Sequence, residues 1–253
     1  MQVLAVIPAR YGSSRYPGKP LLRQTGKFLI QHVYERAQAA ARVDRVLVAT
    51  DDERIRAAVE SFGGMAVMTR ADHPSGTDRI AEVARKHDGP PDQIILNVQG
   101  DEPEIDPAHL DRLVDRMEAD ALAPIATLAC PFAADGDPRD PNSVKVVCNR
   151  AGRALYFSRS LLPYPRDAGG QVADPAGWLL HLGVYAYRRS FLLEMAGWRP
   201  TTLEQTEKLE QLRVLEHGHA IAVEIVERAA VGIDTPADYE RFLERYSVSQ
   251  RTN

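Results

Sequence analysis

Arg10, Arg15 and Lys19 place three cations within ten residues of the stretch IPARYGSSRYPGKPL, residues 7–21. Between them stand Gly12, Ser13, Ser14 and Gly18, small residues that leave backbone N–H groups open to an anion. Such a loop suits a polyphosphate. Pro17 and Pro20 restrict the backbone on either side of Gly18-Lys19, so part of the ordering entropy is lost before any ligand arrives. The loop is not of the Walker A kind, because five residues separate Gly12 from Gly18-Lys19 and Pro20 stands where a metal-binding hydroxyl belongs. Nor does a G-x-G-x-x-G dinucleotide fingerprint follow the first apolar run.

Two acids farther along the chain have no structural duty. Asp101, in NVQGDEP at 97–103, follows the apolar run QIILNV, and the cap of the next helix belongs to Asp106 ahead of Pro107. Asp234, in GIDTPAD at 232–238, precedes a helix start already supplied by Thr235, Pro236 and Asp238. Spare carboxylates at the ends of two segments flanking a phosphate loop are what metal-assisted phosphoryl chemistry needs, so Asp101 and Asp234 are expected to hold Mg²⁺. The loop RADHPSGTDR at 70–79 adds Ser75, Gly76 and Arg79 at a strand's carboxyl end, groups able to read a base edge, although Ser75 or Thr77 serves equally well as a helix cap. His73 has no second His or Cys at metal-site spacing and reads as a loop residue.

The elements that position these residues alternate. Apolar runs at 3–7, 45–50, 65–68, 93–98 and 123–130 read as strands, and amphipathic periodicity at 29–41, 53–62, 80–87 and 107–118 reads as helices. That order predicts an α/β protein with a mostly parallel, Rossmann-like sheet. The alternation stops at FAADGDPRDPNS, and 144–148 with 154–157 then reads as a hairpin. A strand over 178–187 carries His181 and Tyr185 on one side, and Leu209, Leu212 and Leu215 stripe a helix ending at Gly218 with Glu207 and Gln211 one turn apart on another face. A strand at 220–226 and a helix buried through Tyr239, Phe242, Leu243 and Tyr246 close the chain. The expected division is 1–130 with 201–253 as a nucleotide-binding α/β domain and 131–200 as a smaller β-rich insertion.

Composition excludes several classes. A 253-residue chain with 44% hydrophobic residues can bury a full core, and 31 basic against 35 acidic residues leave a net charge of -4, with no global field for nucleic acid or an anionic membrane. The N-terminus has no basic leader and its apolar run is far shorter than the roughly 20 residues of a membrane span, which predicts a cytoplasmic protein. Cys130 and Cys148 are too few for a disulfide framework and read as reduced core thiols.

The opening loop, NVQGDEP, HLGVYAYRR at 181–189 and GIDTPAD occur in one order, and together the chain resembles the 3-deoxy-manno-octulosonate cytidylyltransferases, CMP-Kdo synthetases of the nucleotide-sugar pyrophosphorylase type. The resemblance implies a nucleotide-diphospho-sugar transferase fold and activation of Kdo by CTP, for lipopolysaccharide biosynthesis, with pyrophosphate released. It implies Arg15 and Lys19 at the triphosphate, Arg10, Gly12, Ser13, Ser75, Gly76, Arg79 and Gln99 around the nucleotide, and Arg159, His181, Tyr185, Glu207 and Gln211 at the sugar. It also implies a homodimer supported by the insertion. Sialic acid or an amino-substituted Kdo as acceptor remains open, as does a non-catalytic nucleotide-binding regulator.

Overall fold

The computed structural model describes residues 1–12 and 16–252. Its first half is the expected alternation: β1 (Val3–Ala9), α1 (Leu29–Gln38), β2 (Arg45–Thr50), α2 (Glu53–Ser61), β3 (Ala66–Met68), α3 (Gly76–Lys86), β4 (Ile94–Asn97) and α4 (Pro107–Ala119). Then come β5 (Ile125–Pro131), the hairpin β6 (Lys145–Cys148) and β7 (Ala154–Ser158), β8 (Leu179–Arg188), α5 (Arg189–Met195), α6 (Thr202–Glu207), α7 (Gln211–Glu216), β9 (Ile221–Ile225) and α8 (Pro236–Thr252).

The chain forms two compact units, residues 1–111 with 230–253, and residues 112–229. In the first, β3, β2, β1 and β4 lie side by side and all pair in parallel, with Ala5 opposite Val46 and Leu4 opposite Ile95. Their inward and outward faces are both apolar because helices cover a parallel sheet on both sides: Val3 to Ile7 and Ile94 to Leu96 are at most 2% exposed. The carboxyl ends of β1 and β4 meet closely. A Cβ on Gly100 would lie 2.8 Å from the Pro8 carbonyl oxygen, so glycine is required there by proximity and not by a left-handed backbone.

In the second unit β5 is antiparallel to β8 and parallel to β9, while β6 pairs antiparallel with β7 and with β8. These pairings explain why β5 and β9 belong to this unit, and α7 packs on β7 with α6 beside it, so the division falls at 111/112 and 229/230 and not at 130/131 and 200/201. The expected helix carrying both Glu207 and Gln211 is also corrected. Lys208 adopts a left-handed conformation, φ 55°, that ends α6 and sets α7 off on a new axis.

Helix α8 returns the C-terminus to the first unit. Ile233, Tyr239 and Phe242 pack on Leu29 of α1, with Tyr16, Leu22, Leu243 and Tyr246 around them. The apolar stripe thereby fixes the preceding loop, and with it Asp234.

Candidate active site

The N-terminal loop is closed at its base. Gly18 N–H donates to the Tyr11 carbonyl at 2.8 Å, Gly18 takes φ 74°, and the Arg54 guanidinium lies 3.4 Å from the Tyr11 ring centroid, held bidentate by Asp52 at 2.9 and 2.6 Å. Lys19 then opens a short 3₁₀ turn, Lys19–Leu21, whose Pro20 is buried. Its ammonium donates to Asp101 Oδ2 at 2.7 Å, to the Ile233 carbonyl at 2.8 Å and to Asp234 Oδ1 at 3.4 Å. Residues 82 and 215 positions apart thus converge on one cation. The Ile233 amide donates to the Asp101 carbonyl at 2.9 Å, so the two acidic loops are tied through their backbones as well.

Beside them opens a cleft of about 200 Å³ lined by Pro8, Arg10, Gly12, Lys19, Gln99 and Asp101. Arg10 keeps its orientation by donating through Nη2 to the carbonyls of His73 and Ser75 at 2.6 and 3.2 Å, so it braces the 70s loop while bordering the cleft. Glu102, not singled out by its sequence, is pushed up to about 8 by burial and by the neighbouring Asp101 charge.

Two expected site residues, Ser75 and Arg79, have other work. Ser75 is the N-cap of α3, accepting from Asp78 N–H at 3.2 Å and donating to Asp78 Oδ2 at 2.8 Å, so its hydroxyl is committed. Helix α3 starts directly after it, at Gly76, which places Arg79 in the helix and not in a loop. Arg79 is 0% exposed and donates to Asp51 Oδ2 at 3.1 Å and to Thr69 Oγ1. It ties the residue after β2 to the residue after β3. His73 is buried with Nε2 on Glu82; burial tends to raise the Glu82 carboxyl, but hydrogen bonds from Lys86 and His73 outweigh it and hold the group at about 2. Ser13 and Arg15 lie outside the described residues.

Replacing Arg79 by Met leaves Asp51 and Thr69 without their buried donor. The expected result is a loss of about 3 kcal/mol of stability, with CTP affinity of the folded protein unchanged. Thermal melting and calorimetry check it, and an unchanged melting temperature with lost CTP affinity would return Arg79 to the nucleotide.

In the second unit, His181 and Tyr185 share one face of β8, ring centroids 5.5 Å apart, because the register shift opposite Thr127 and Leu128 inserts two residues and so preserves the alternation. Burial lowers His181 to about 3 and raises the Tyr185 phenol well above its ordinary value. Thr127, a buried hydroxyl missed in the apolar run of β5, lies 2.8 Å from the Val184 carbonyl, to which it donates, and 3.0 Å from His181 Nε2. Glu207 is less free than expected: its carboxylate accepts from Ser158 Oγ at 2.7 Å and Arg159 N–H at 2.9 Å. Arg159 in turn donates to the carbonyls of Glu207 and Pro141, so the pair knots α6 to the end of β7. Gln211 is 5% exposed and its Nε2 has no partner. Cys130 and Cys148 are free thiols, both pushed up by burial.

Asp101 and Asp234 fit a divalent cation. They are hard oxygen donors aimed at a point already occupied by a cation, their side chains are 30% and 47% exposed, and two carboxylates leave coordination positions for phosphate oxygens. Among the described residues no cluster of three or more His, Cys, Asp or Glu forms a closed metal cage.

A cationic loop and paired carboxylates beyond the carboxyl ends of a parallel sheet define a nucleotidyltransferase. The family described as cytidylyltransferase matches residues 4–225, and the chain belongs to it. The 3-deoxy-manno-octulosonate cytidylyltransferase of Syntrophotalea carbinolica is 52% identical over 245 residues, 95% of this chain and 97% of its own. That of Geobacter metallireducens is 50% identical over 253 residues, 98% of each chain. Among solved structures, a CMP:2-keto-3-deoxy-manno-octonic acid synthetase complexed with CTP superposes with a TM-score of 0.90 at 46% identity over 100% of both chains. A 4-diphosphocytidyl-2C-methyl-D-erythritol synthase, 14% identical with a TM-score of 0.63 over 95% of this chain and 96% of its own, shares the fold alone.

Proposed function

We propose that this enzyme activates 3-deoxy-D-manno-octulosonate with CTP, giving CMP-Kdo and pyrophosphate, a step that serves lipopolysaccharide biosynthesis. The observation that carries the reading is the convergence of Lys19, Asp101 and Asp234 at the rim of a cleft, in a chain about half identical to Kdo cytidylyltransferases over nearly its whole length.

The reaction is attack of a sugar hydroxyl on the α-phosphorus with pyrophosphate leaving. An anionic acceptor must approach a triphosphate of roughly four negative charges, so the task is electrostatic and positional, and no side-chain nucleophile is required. One unscreened charge pair at 4 Å amounts to about 4 kcal/mol at an effective dielectric of 20, around three decades in rate. Arg10, Gly12 and Gln99 border the space for the nucleotide, and Lys19 supplies positive charge to the phosphates and the leaving group. Arg15 and Ser13 complete the loop's share of that work. Asp101 and Asp234 would hold Mg²⁺, which when bound neutralises phosphate charge. In the second unit, His181, Tyr185 and Gln211 contact the sugar acid, while Glu207 and Arg159 shape its pocket.

The enzyme is further read as a cytoplasmic homodimer. Among the described residues no helix is long and apolar enough to cross a membrane. Light scattering on the purified chain checks the dimer.

The test is pyrophosphate release from CTP and Mg²⁺ with Kdo, 8-amino-Kdo or sialic acid as acceptor. Release dependent on Kdo and weak with the others is expected. Preference for another acid would reassign the substrate, and CTP binding with no release from any acceptor would make the protein a nucleotide-binding regulator.

A further inference from the structure

All three protons of the Lys19 ammonium have acceptors, two of them on carboxylates assigned above to a metal, and its side chain is only 12% exposed. Asp101 and Asp234 repel each other unless a cation lies between them, and the Lys19 ammonium contacts both. The lysine backbone is fixed by the turn that follows it, with Leu22 N–H on the Lys19 carbonyl at 3.1 Å and Gly18 in its left-handed conformation. Four side-chain torsions remain for the ammonium to turn on. The space it would turn into is the cleft it borders, lined also by Gly12, Arg10 and Gln99, the cleft assigned above to the nucleotide.

We propose that Lys19 is the resting counter-ion of the Asp101–Asp234 pair and makes metal loading depend on the nucleotide. The inference rests on the assignment of these carboxylates as metal ligands. A divalent cation arriving alone must displace the ammonium, which then sits unpaired beside the incoming charge. A metal arriving with a triphosphate brings oxygens to which the ammonium transfers, so both partners of the exchange stay satisfied. Metal and nucleotide therefore bind with positive coupling, and by linkage each raises the other's affinity by the same factor. A site so arranged stays closed to free Mg²⁺ and opens to the metal–nucleotide complex. The device is built from contacts that span the whole first unit, since the lysine comes from the N-terminal loop, Asp101 from the exit of β4 and Asp234 from the loop fixed by α8.

The test uses the full chain without acceptor sugar, so that no turnover occurs. Free Mn²⁺ is titrated by electron paramagnetic resonance against wild type, Lys19→Met and Lys19→Met/Asp101→Asn, and CTP affinity is measured by calorimetry with and without Mg²⁺. Lys19→Met should bind Mn²⁺ alone about tenfold more tightly than wild type or better, because the competing charge is gone. Mg²⁺ should raise wild-type CTP affinity by about tenfold or more, and by much less in Lys19→Met. Equal Mn²⁺ affinity in wild type and Lys19→Met overturns the counter-ion role while leaving the metal site in place. Mn²⁺ binding in the double variant as tight as in Lys19→Met overturns the metal site itself. Should Lys19→Met melt, Lys19→Gln carries the same comparison with a neutral donor. Independently of any variant, wild type that binds free Mn²⁺ as tightly without CTP as CTP–Mg²⁺ coupling requires with it overturns the proposal.

Discussion

Asp101→Asn is expected to cut turnover at saturating CTP and Mg²⁺ by about a thousandfold while the protein stays folded. The substitution keeps shape and hydrogen bonding but removes the charge. A site that must hold a cation against a triphosphate loses one direct partner, and one charge pair at an effective dielectric near 20 amounts to about 4 kcal/mol. The fold should survive because the turn at Asp101 is held by its backbone, through the Ile233 amide and the close approach of Gly100 to Pro8, and neither contact uses the carboxylate. Asp234→Asn should follow with a smaller loss, about a hundredfold, since its side chain is 47% exposed and its contact with Lys19 is longer, so solvent screens it more. Steady-state rates and thermal melting on both variants decide the matter. Near-native turnover in both, with Mg²⁺ as the only metal, would remove them from the metal site.

These two acids were legible in the sequence because their neighbours already supplied the structural duties. Asp106 accepts from Ala108 N–H at 3.0 Å ahead of α4, and Asp238 with Thr235 closes the start of α8, as the spacing predicts. At Ser75 and Arg79 the local sequence leaves a cap and a base-reading group equally open. Ser75 caps α3, and the Arg79 guanidinium, in a polar-looking segment, is buried with partners 10 and 28 residues away. The break at Lys208 was hidden because a leucine stripe beginning at Leu209 gives no sign of a left-handed residue just before it. Long-range pairing decided the unit boundary, since nothing local in β5 announces that its partners are β8 and β9. The spacing of the loop's cations puts Lys19 in a phosphate-binding stretch, but its partners 82 and 215 residues distant belong to tertiary structure alone.

The acceptor side yields the other large effect. Gln211 carries a buried, unpartnered Nε2, and an unsatisfied donor costs about 1–3 kcal/mol. Such a cost in a folded enzyme is explained if the sugar acid supplies the missing acceptor. Gln211→Leu should therefore leave melting unchanged or slightly raised, while KM for Kdo rises by about a hundredfold and CTP affinity stays near native. His181 offers the complementary group. With the Thr127 hydroxyl proton on the nearer Val184 carbonyl at 2.8 Å, the His181 tautomer that fits donates to Thr127 through Nε2–H and keeps Nδ1 as an acceptor. Because burial lowers the ring to about 3, it stays neutral wherever the enzyme works, and the acceptor is always present. The same shift gives a stability test. Protonation favours the unfolded chain, in which histidine titrates near 6.5, so the His181 contribution is intact above that pH and is lost as pH falls from 6.5 towards 3. His181→Phe should flatten this acid limb of the melting profile, keep CTP affinity, and raise the Kdo KM. If His181→Phe and Gln211→Leu both show wild-type dependence on Kdo, the sugar lies elsewhere in the chain. If CTP affinity falls in step with the Kdo response, these side chains support the fold and not the acceptor.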